Sequence, residues 1–391
     1  MGSFTTVASV GGTFVASAAV AYGAYRQGSS LQGLFKGAVC AVVGIGVERL
    51  LGKKVQAAYL GCVAVCAVYL LRKPRAFSPE ETALLSKYTG DTPLLNAASD
   101  GNVQAIKLLL EKDPSLISKY RSNDGWTPLH AAAGNGHVKA IELLLKTDSK
   151  LISAYANNGY TSLHAAAFNG HVKAIEFLLE KDGTLISKYR SDNGWTPLHG
   201  AAQNGHVEAI EFLLEKDSTL ISKYRSDDGW TPLHAAAQNG HVETIEFLLE
   251  KDSTLISKYA TNGWTPLHGA AQNGHVEAVK LLLKKDLSLI SKYRSDDGWT
   301  PLHTAAFNGR VEVIKFLLET DSTLTSKYSQ GGYTPLHAAA EKGHIAAGQL
   351  LYGKNPSLLN VANEKGTTPL MLAEQQNHPD FAAWLKSIQR A

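Results

Sequence analysis

The chain has few of the residues that most often build cross-linked or reactive sites. Its 391 residues include only 3 cysteines, Cys40, Cys62 and Cys66, and all of them precede residue 77. Residues 77–391 therefore hold no disulfide framework and no cysteine-based metal site. The chain also lacks a glycine-rich phosphate loop, a Gly-x-Ser-x-Gly motif, a kinase signature and any His-x-x-x-His pair. We therefore predict no enzyme activity, cofactor, metal or small-molecule substrate.

The chain also lacks a strong excess of either charge. The formal net charge is only +3, and it is unevenly divided. Residues 1–90 hold 9 Lys+Arg and 3 Asp+Glu, whereas residues 91–391 hold 29 and 32. The longer segment is thus slightly acidic and lacks the basic surface that nucleic-acid binding requires. We predict that nucleic acid is not a partner.

Charged side chains are missing from the first 25 residues. The run 5–25 carries small residues at four-residue intervals and is long enough to cross a ~30 Å hydrocarbon layer. Further apolar runs cover 37–47 and 55–71, and a basic cluster at 72–75 follows at once, as the positive-inside rule expects on the cytosolic side. We predict a hydrophobic anchor region over residues 1–76, with two or three membrane-inserted helices within residues 5–71. The rest of the chain would then be cytosolic.

Other interpretations of the N-terminal region stay open at this point. A signal peptide would need an early positive charge, which is absent. An organelle transit peptide fits the absence of acidic residues before Glu48 but not the strong apolarity. Gly2 fits an N-myristoylation pattern, which could coexist with membrane insertion. The charges of Arg49, Lys53 and Lys54 leave the number of crossings undecided.

A Thr-Pro dipeptide, or its equivalent Thr-Ser, recurs along most of the chain at steps of 34 or 35 residues. Such a fixed period is the signature of stacked repeats. In each unit a Thr cap, a Pro at the first helical position and an i, i+3, i+4 apolar face predict a short first helix. A second helix and a segment rich in turn and β-favouring residues follow. The dipeptide begins at Thr92, Thr127, Thr161, Thr196, Thr231, Thr265, Thr300, Thr334 and Thr368.

This pattern resembles the ankyrin repeat family. The residues that carry the resemblance are Gly-x-Thr-Pro-Leu-His-Ala-Ala-Ala, Asn-Gly-His-Val and the paired leucines of the second helix, and they recur over residues 91–391. The resemblance implies an all-α solenoid of about nine helix-turn-helix units with finger loops between them. The units are a residue or two longer than the usual repeat, so the conformation of the fingers stays undecided.

The two ends of the array differ from the middle. Ser78-Pro79-Glu80-Glu81 has the residues of a capping box, and we interpret 77–90 as a linker and N-terminal capping helix. The last unit, 366–391, carries Phe381 and Trp384 among polar residues. We expect it to act as a C-terminal cap, because without a cap the apolar core would be exposed to water at the end of the array.

All 14 histidines occupy repeated positions. The resemblance implies that they are structural, with hydrogen bonds that tie loops to helices. Seven end the Thr-Pro-Leu-His motif or its variant, and the others follow the mid-repeat glycine or its equivalent. The first set is His130, His164, His199, His234, His268, His303 and His337; the second is His137, His171, His206, His241, His275, His344 and His378.

Two sets of residues are candidates for partner binding. One is the aromatic residue before each Thr, because Trp and Tyr often dominate interface energetics. Packing between neighbouring fingers is the competing interpretation. The other set is a first-helix position expected to face the concave side, where Phe168 and Phe307 depart from the repeat pattern. The candidates are Trp126, Tyr160, Phe168, Trp195, Trp230, Trp264, Trp299, Phe307 and Tyr333.

These features together predict a membrane-anchored scaffold or adaptor that binds a protein through its concave face and finger loops. A second hypothesis makes the N-terminal helices a pore that the array regulates, although intramembrane charge is scarce. A third is a microbial effector that carries eukaryote-like repeats. The tip arginines Arg121, Arg190, Arg225 and Arg294 are interpreted as solvated charges.

Overall fold

The structure is a computed structural model that describes residues 76–119, 123–188, 193–223, 228–294 and 296–390. In these ranges the regular structure is entirely helical. Phe77–Ala391 form one compact unit. None of the helices in the described ranges has the length and apolarity to cross a membrane. The predicted anchor helices within 5–71 lie outside the described residues.

Nine units follow one another, and each begins with a short helix. The Thr before the helix has an extended backbone in all but the first unit, and Pro, or Ser162 in unit 3, takes the first helical position. The predicted helix starts are therefore confirmed. In chain order the first helices are Pro93–Ser99, Pro128–Gly134, Ser162–Phe168, Pro197–Gln203, Pro232–Gln238, Pro266–Asn273, Pro301–Phe307, Pro335–Lys342 and Pro369–Gln375.

A second helix runs back beside each first helix. A left-handed glycine separates the two helices in units 1–8, for example Gly205 with φ +75°. In unit 9 the left-handed residue is Asn377. The second helices are Val103–Lys112, Val138–Thr147, Val172–Lys181, Val207–Lys216, Val242–Lys251, Val276–Lys285, Val311–Thr320, Ile345–Lys354 and Pro379–Gln389.

A short helical turn follows each second helix of units 1–8, where the sequence analysis expected turn and β-favouring residues. The sequence analysis did not predict this helical turn, which in units 2–8 is a 3-10 helix capped by an aspartate or asparagine. The Asp252 carboxylate, for example, accepts from the Thr254 backbone N–H at 2.9 Å. The segments are Leu116–Lys119, which is α-helical, and the 3-10 helices Ser149–Ser153, Gly183–Ser187, Ser218–Ser222, Ser253–Ser257, Leu287–Ser291, Ser322–Ser326 and Pro356–Asn360.

The core is a continuous seam of alanine and leucine between units. In unit 5 the side chains of Leu233, Ala236 and Leu248 have no solvent exposure. The alanines let the first helices of neighbouring units approach closely, while the leucines and isoleucines of the second helices fill the space behind them. One such unit could not bury this surface alone, so its stability depends on its neighbours.

The ends of the array carry their own packing. The helix Pro79–Leu85 has the predicted capping box, in which Ser78 and Glu81 bond each other's backbone N–H at 3.2 and 2.9 Å. Phe381 in the last helix is 1% exposed. A Cβ on Gly348 in unit 8 would lie 2.8 Å from the Phe381 ring. This glycine therefore makes room for the terminal aromatic residues.

The finger loops between units come in two lengths, which accounts for the two repeat lengths. In a short finger the Ala260 N–H donates to the Trp264 carbonyl at 2.9 Å. The Gly263 N–H donates to the Ala260 carbonyl, also at 2.9 Å, and this bond forms a turn. In the long finger Arg294 donates to the Trp299 carbonyl at 2.9 Å, with one more residue inside the loop. The extra residue therefore belongs to the loop between Arg294 and Trp299, and the following first helix still begins at the proline after Thr300.

Candidate partner-binding surface

A ladder of buried histidines holds the finger bases in place. The Nδ1 atom of His268 accepts from the Thr265 backbone N–H at 3.3 Å and lies 2.8 Å from the Thr265 hydroxyl. Its Nε2 atom therefore carries the proton and donates to the Trp299 carbonyl of the next unit at 3.0 Å. The same pattern links each unit from 2 to 8 to the following one.

Burial keeps these rings neutral. Desolvation lowers the pKa of His268 to about 3 and the pKa values of His234 and His303 to about 4, against an ordinary value of 6.5. Both ring nitrogens are occupied in the scaffold, which supports the structural interpretation of this set. Within the described ranges there is no group of three or more metal-ligating side chains.

The second histidine set ties the helix ends together. His241 Nε2 donates to the Gln203 carbonyl of the preceding unit at 2.9 Å. Its ring lies over Gly205, where a Cβ would come within 2.6 Å of Nδ1. Arg310 replaces the histidine in unit 7 and bonds the Gln272 carbonyl through Nε at 2.8 Å. These bonds fix the end of the first helix at the residue that the sequence analysis placed on the concave side.

The predicted aromatic row lies above the histidine ladder. Each ring is 5.0 to 6.0 Å from the histidine of its own unit. Trp195 is 8% exposed and the other six rings are half-buried. Trp126 stacks on Tyr160 at 5.9 Å and Trp299 on Tyr333 at 6.3 Å. The rings therefore pack on the scaffold, and six of them also keep a partly exposed face.

Units 3 to 5 bring the two candidate sets together around one groove of about 410 Å³. Finger residues and first-helix residues form its walls. The sequence analysis had named Tyr160, Phe168, Trp195 and Trp230 but had not joined them into one site. Gln203 and Gln238 hold the same first-helix position as Phe168 and were not among the predicted site residues. We call this the groove surface: Tyr160, Phe168, Asn193, Trp195, Gln203, Trp230 and Gln238.

Comparison with known families agrees with this architecture. A family model described as ankyrin repeats (3 copies) matches residues 55–151, 115–190, 150–224, 184–259, 253–328 and 321–389. These overlapping matches cover more than half of the chain. The chain belongs to the ankyrin repeat family. Comparison with curated proteins gives no match.

The ankyrin units 6 to 8 carry aromatic residues at the equivalent positions, and Arg294 lies beside two of them. The Arg294 guanidinium lies 5.0 Å from the Trp264 ring and 6.0 Å from the Trp299 ring. It also pairs with Asp296 at 3.0 Å and with Asp297 at 3.1 Å. Its side chain is only 20% exposed, so the prediction of a solvated charge is wrong for Arg294.

Two further contacts cover the aromatic residues of these units. The Lys342 ammonium lies 4.6 Å from the centroid of the Phe307 ring. The Tyr333 hydroxyl bonds the Glu341 carboxylate in a short contact, and burial raises the pKa of this hydroxyl. We call these residues the closed surface: Trp264, Arg294, Trp299, Phe307, Tyr333, Glu341 and Lys342.

Proposed function

We propose that this ankyrin array is a scaffold or adaptor, without enzymatic activity, that binds a protein partner at the groove surface. Ankyrin repeats generally serve as protein-interaction modules. The observation that supports this site most directly is the groove itself, because four aromatic side chains from fingers and first helices meet there. Concave sites with apolar walls and a few polar groups are the usual binding sites of proteins.

The polar side chains of the groove support the same proposal. Among the described residues, no hydrogen bond engages the side-chain amide of Gln203 or Gln238. Their backbone carbonyls are occupied, since His241 bonds one at 2.9 Å and Asn273 the other at 2.7 Å. Each amide can therefore donate to and accept from the backbone of a bound peptide without breaking a bond of the scaffold.

A paired substitution tests this function. The partner would first be identified by proximity labelling with the full chain and then titrated in purified form. Trp195→Ala together with Trp230→Ala is expected to weaken its binding about thirtyfold or more, because the loss of aromatic anchors at an interface costs about 2 kcal/mol or more. Trp264→Ala with Trp299→Ala is the matched control and should lower affinity much less. Equal losses, or no loss from the first pair, would contradict the proposal.

We further propose that residues 5–71 anchor the chain in a membrane and hold the array on its cytosolic side. The support is the uncharged run 5–25, the apolar run 55–71 and the basic cluster after it. The full chain should stay with membranes in alkaline carbonate, and a C-terminal tag should be digested by protease added to the cytosolic side. Release into the soluble fraction would argue against the anchor.

A further inference from the structure

Phe168 and Phe307 occupy the same place in their units. Each is the last residue of its first helix, Ser162–Phe168 or Pro301–Phe307, and each is half-buried. Each also follows two buried alanines in the same register. The difference between them lies in the residue that the next unit supplies.

Over Phe307 the next unit supplies a cation. The Lys342 ammonium is 4.6 Å from the ring centroid, within the distance at which the ring quadrupole attracts a positive charge. Trp299 meets the same ring edge-on at 5.1 Å. The chain thus contains a working example of a cation bound over this phenylalanine position.

Over Phe168 the equivalent residue of the next unit is Asn204. Its side-chain amide donates to the Gly200 carbonyl at 3.1 Å, so it is turned back onto its own helix. Phe168 instead lines the groove together with Tyr160 and Trp195. Its ring has no cationic contact among the described residues.

We propose that the partner inserts a lysine or arginine side chain into the groove, with its charged end over Phe168 as Lys342 lies over Phe307. This inference rests on the proposed function. Both candidate side chains also carry an apolar stem that can pack between the groove rings.

The test uses the immobilised full chain and a phage library of random 12-residue peptides. Peptides whose capture requires Trp195 and Trp230 should share a Lys or Arg at one position. Replacing that residue by norleucine should cost about tenfold in affinity on the wild-type chain and much less on the Phe168→Leu chain, since a desolvated cation–π contact is worth about that factor.

The array supplies its own matched controls. Asn204→Lys should place a cation over Phe168 and weaken these peptides about tenfold. Asn239→Lys adds the same charge one unit later, beside Gln203 instead of a phenylalanine, and should weaken them less than about twofold. Lys342→Asn should uncover Phe307 without reducing binding at the groove.

The outcomes separate this inference from the proposed function. Groove-dependent peptides that lack a preferred cation, or that bind the Asn204→Lys chain as well as the wild type, would overturn the cation inference and leave the function standing. A selection that yields no peptide dependent on Trp195 and Trp230 would count against both.

Discussion

The groove surface of units 3 to 5 and the closed surface of units 6 to 8 are built on the same scaffold. In both, a Thr-capped first helix, a buried histidine and an aromatic ring repeat in register. In the closed surface the chain's own Arg294, Glu341 and Lys342 cover the rings. In the groove surface Gln203 and Gln238 hold the first-helix position of Glu341, and residues of units 3 to 5 line a groove of about 410 Å³.

This comparison teaches that a single residue of a unit decides which side chain lies over a position that recurs along the array. Gln203 and Glu341 hold the same position, but the aromatic residue of their own unit is Trp195 in one case and Tyr333 in the other, and the Tyr333 hydroxyl bonds the Glu341 carboxylate. Asn204 and Lys342 also correspond, yet only the ammonium reaches the preceding phenylalanine. The fold therefore supplies a row of equivalent sites, and the side chains of the next unit determine which of them stay accessible.

Lowering the pH should destabilise the units beneath both surfaces, and this is the largest effect that we expect. The folded-state pKa values of His234, His268 and His303 lie below the unfolded value of 6.5. Below pH 6.5 the unfolded chain therefore binds protons that the folded chain does not bind. The free energy of unfolding is largest above pH 6.5 and decreases as the pH drops towards 4. At pH 5 each of these histidines should lower the free energy of unfolding by about 2 kcal/mol relative to pH 7. Urea titrations at the two pH values measure this difference.

A variant checks that histidine is the cause. His268→Gln keeps a side chain that can complete the capping box but does not titrate. It should lower stability at pH 7 and also reduce the loss between pH 7 and pH 5. Equal urea midpoints of the wild-type chain at the two pH values would refute this account of the ladder.

Removing Arg294 should uncover two rings of the closed surface. Arg294→Ala removes two ring contacts and two ion pairs from a side chain that is 20% exposed. A loss of about 1–2 kcal/mol is expected, mostly from the desolvated cation–π contacts, because exposed ion pairs contribute little. The tryptophan fluorescence should shift to longer wavelength as Trp264 and Trp299 gain contact with water.

Arg294→Lys separates charge from shape in this contact. Lysine keeps the positive charge but not the flat guanidinium that lies between the two rings. We expect an intermediate loss and a smaller spectral shift. A lysine variant as unstable as the alanine variant would show that stacking, and not charge, holds the closed surface together.

Much of the scaffold could be predicted from the sequence, because its signals are local and repeated. Thr-Pro marked the helix starts, and the spacing of alanine and leucine marked the buried faces. The 3-10 helix Ser253–Ser257 was missed, because Thr254 and Ile256 favour strands when read alone. The cap formed by Asp252 was the overlooked signal.

The candidate site could be predicted only in part. The aromatic row and the positions of Phe168 and Phe307 follow from the repeat register. Whether these residues line one groove depends on the distances between side chains of neighbouring units, and the sequence does not give those distances. For the same reason Arg294 was interpreted as solvated, although its guanidinium lies 5.0 and 6.0 Å from tryptophan rings of two neighbouring units.

The smallest effect we expect concerns the scaffold beneath the groove surface. Ser162 begins its first helix where every other unit has Pro, and its hydroxyl is buried with no hydrogen-bond partner. Thr161 already has the backbone found before Pro197, with ψ 167° against 164° at Thr196. Ser162→Pro should therefore stabilise the array by about 1 kcal/mol, by removing the unpaired hydroxyl and restricting the unfolded chain.

A second substitution controls for the hydroxyl alone. Thr244 in unit 5 is also buried with an unpaired hydroxyl, and Val313 holds the equivalent position in unit 7. Thr244→Val removes that hydroxyl without restricting the unfolded backbone, so its gain in urea midpoint should be the smaller of the two. Neither change touches the rings of the groove, so peptide affinity should stay the same. A destabilised Ser162→Pro chain would mean that the Ser162 N–H is needed, and that unit 3 differs from its neighbours in backbone as well as in surface.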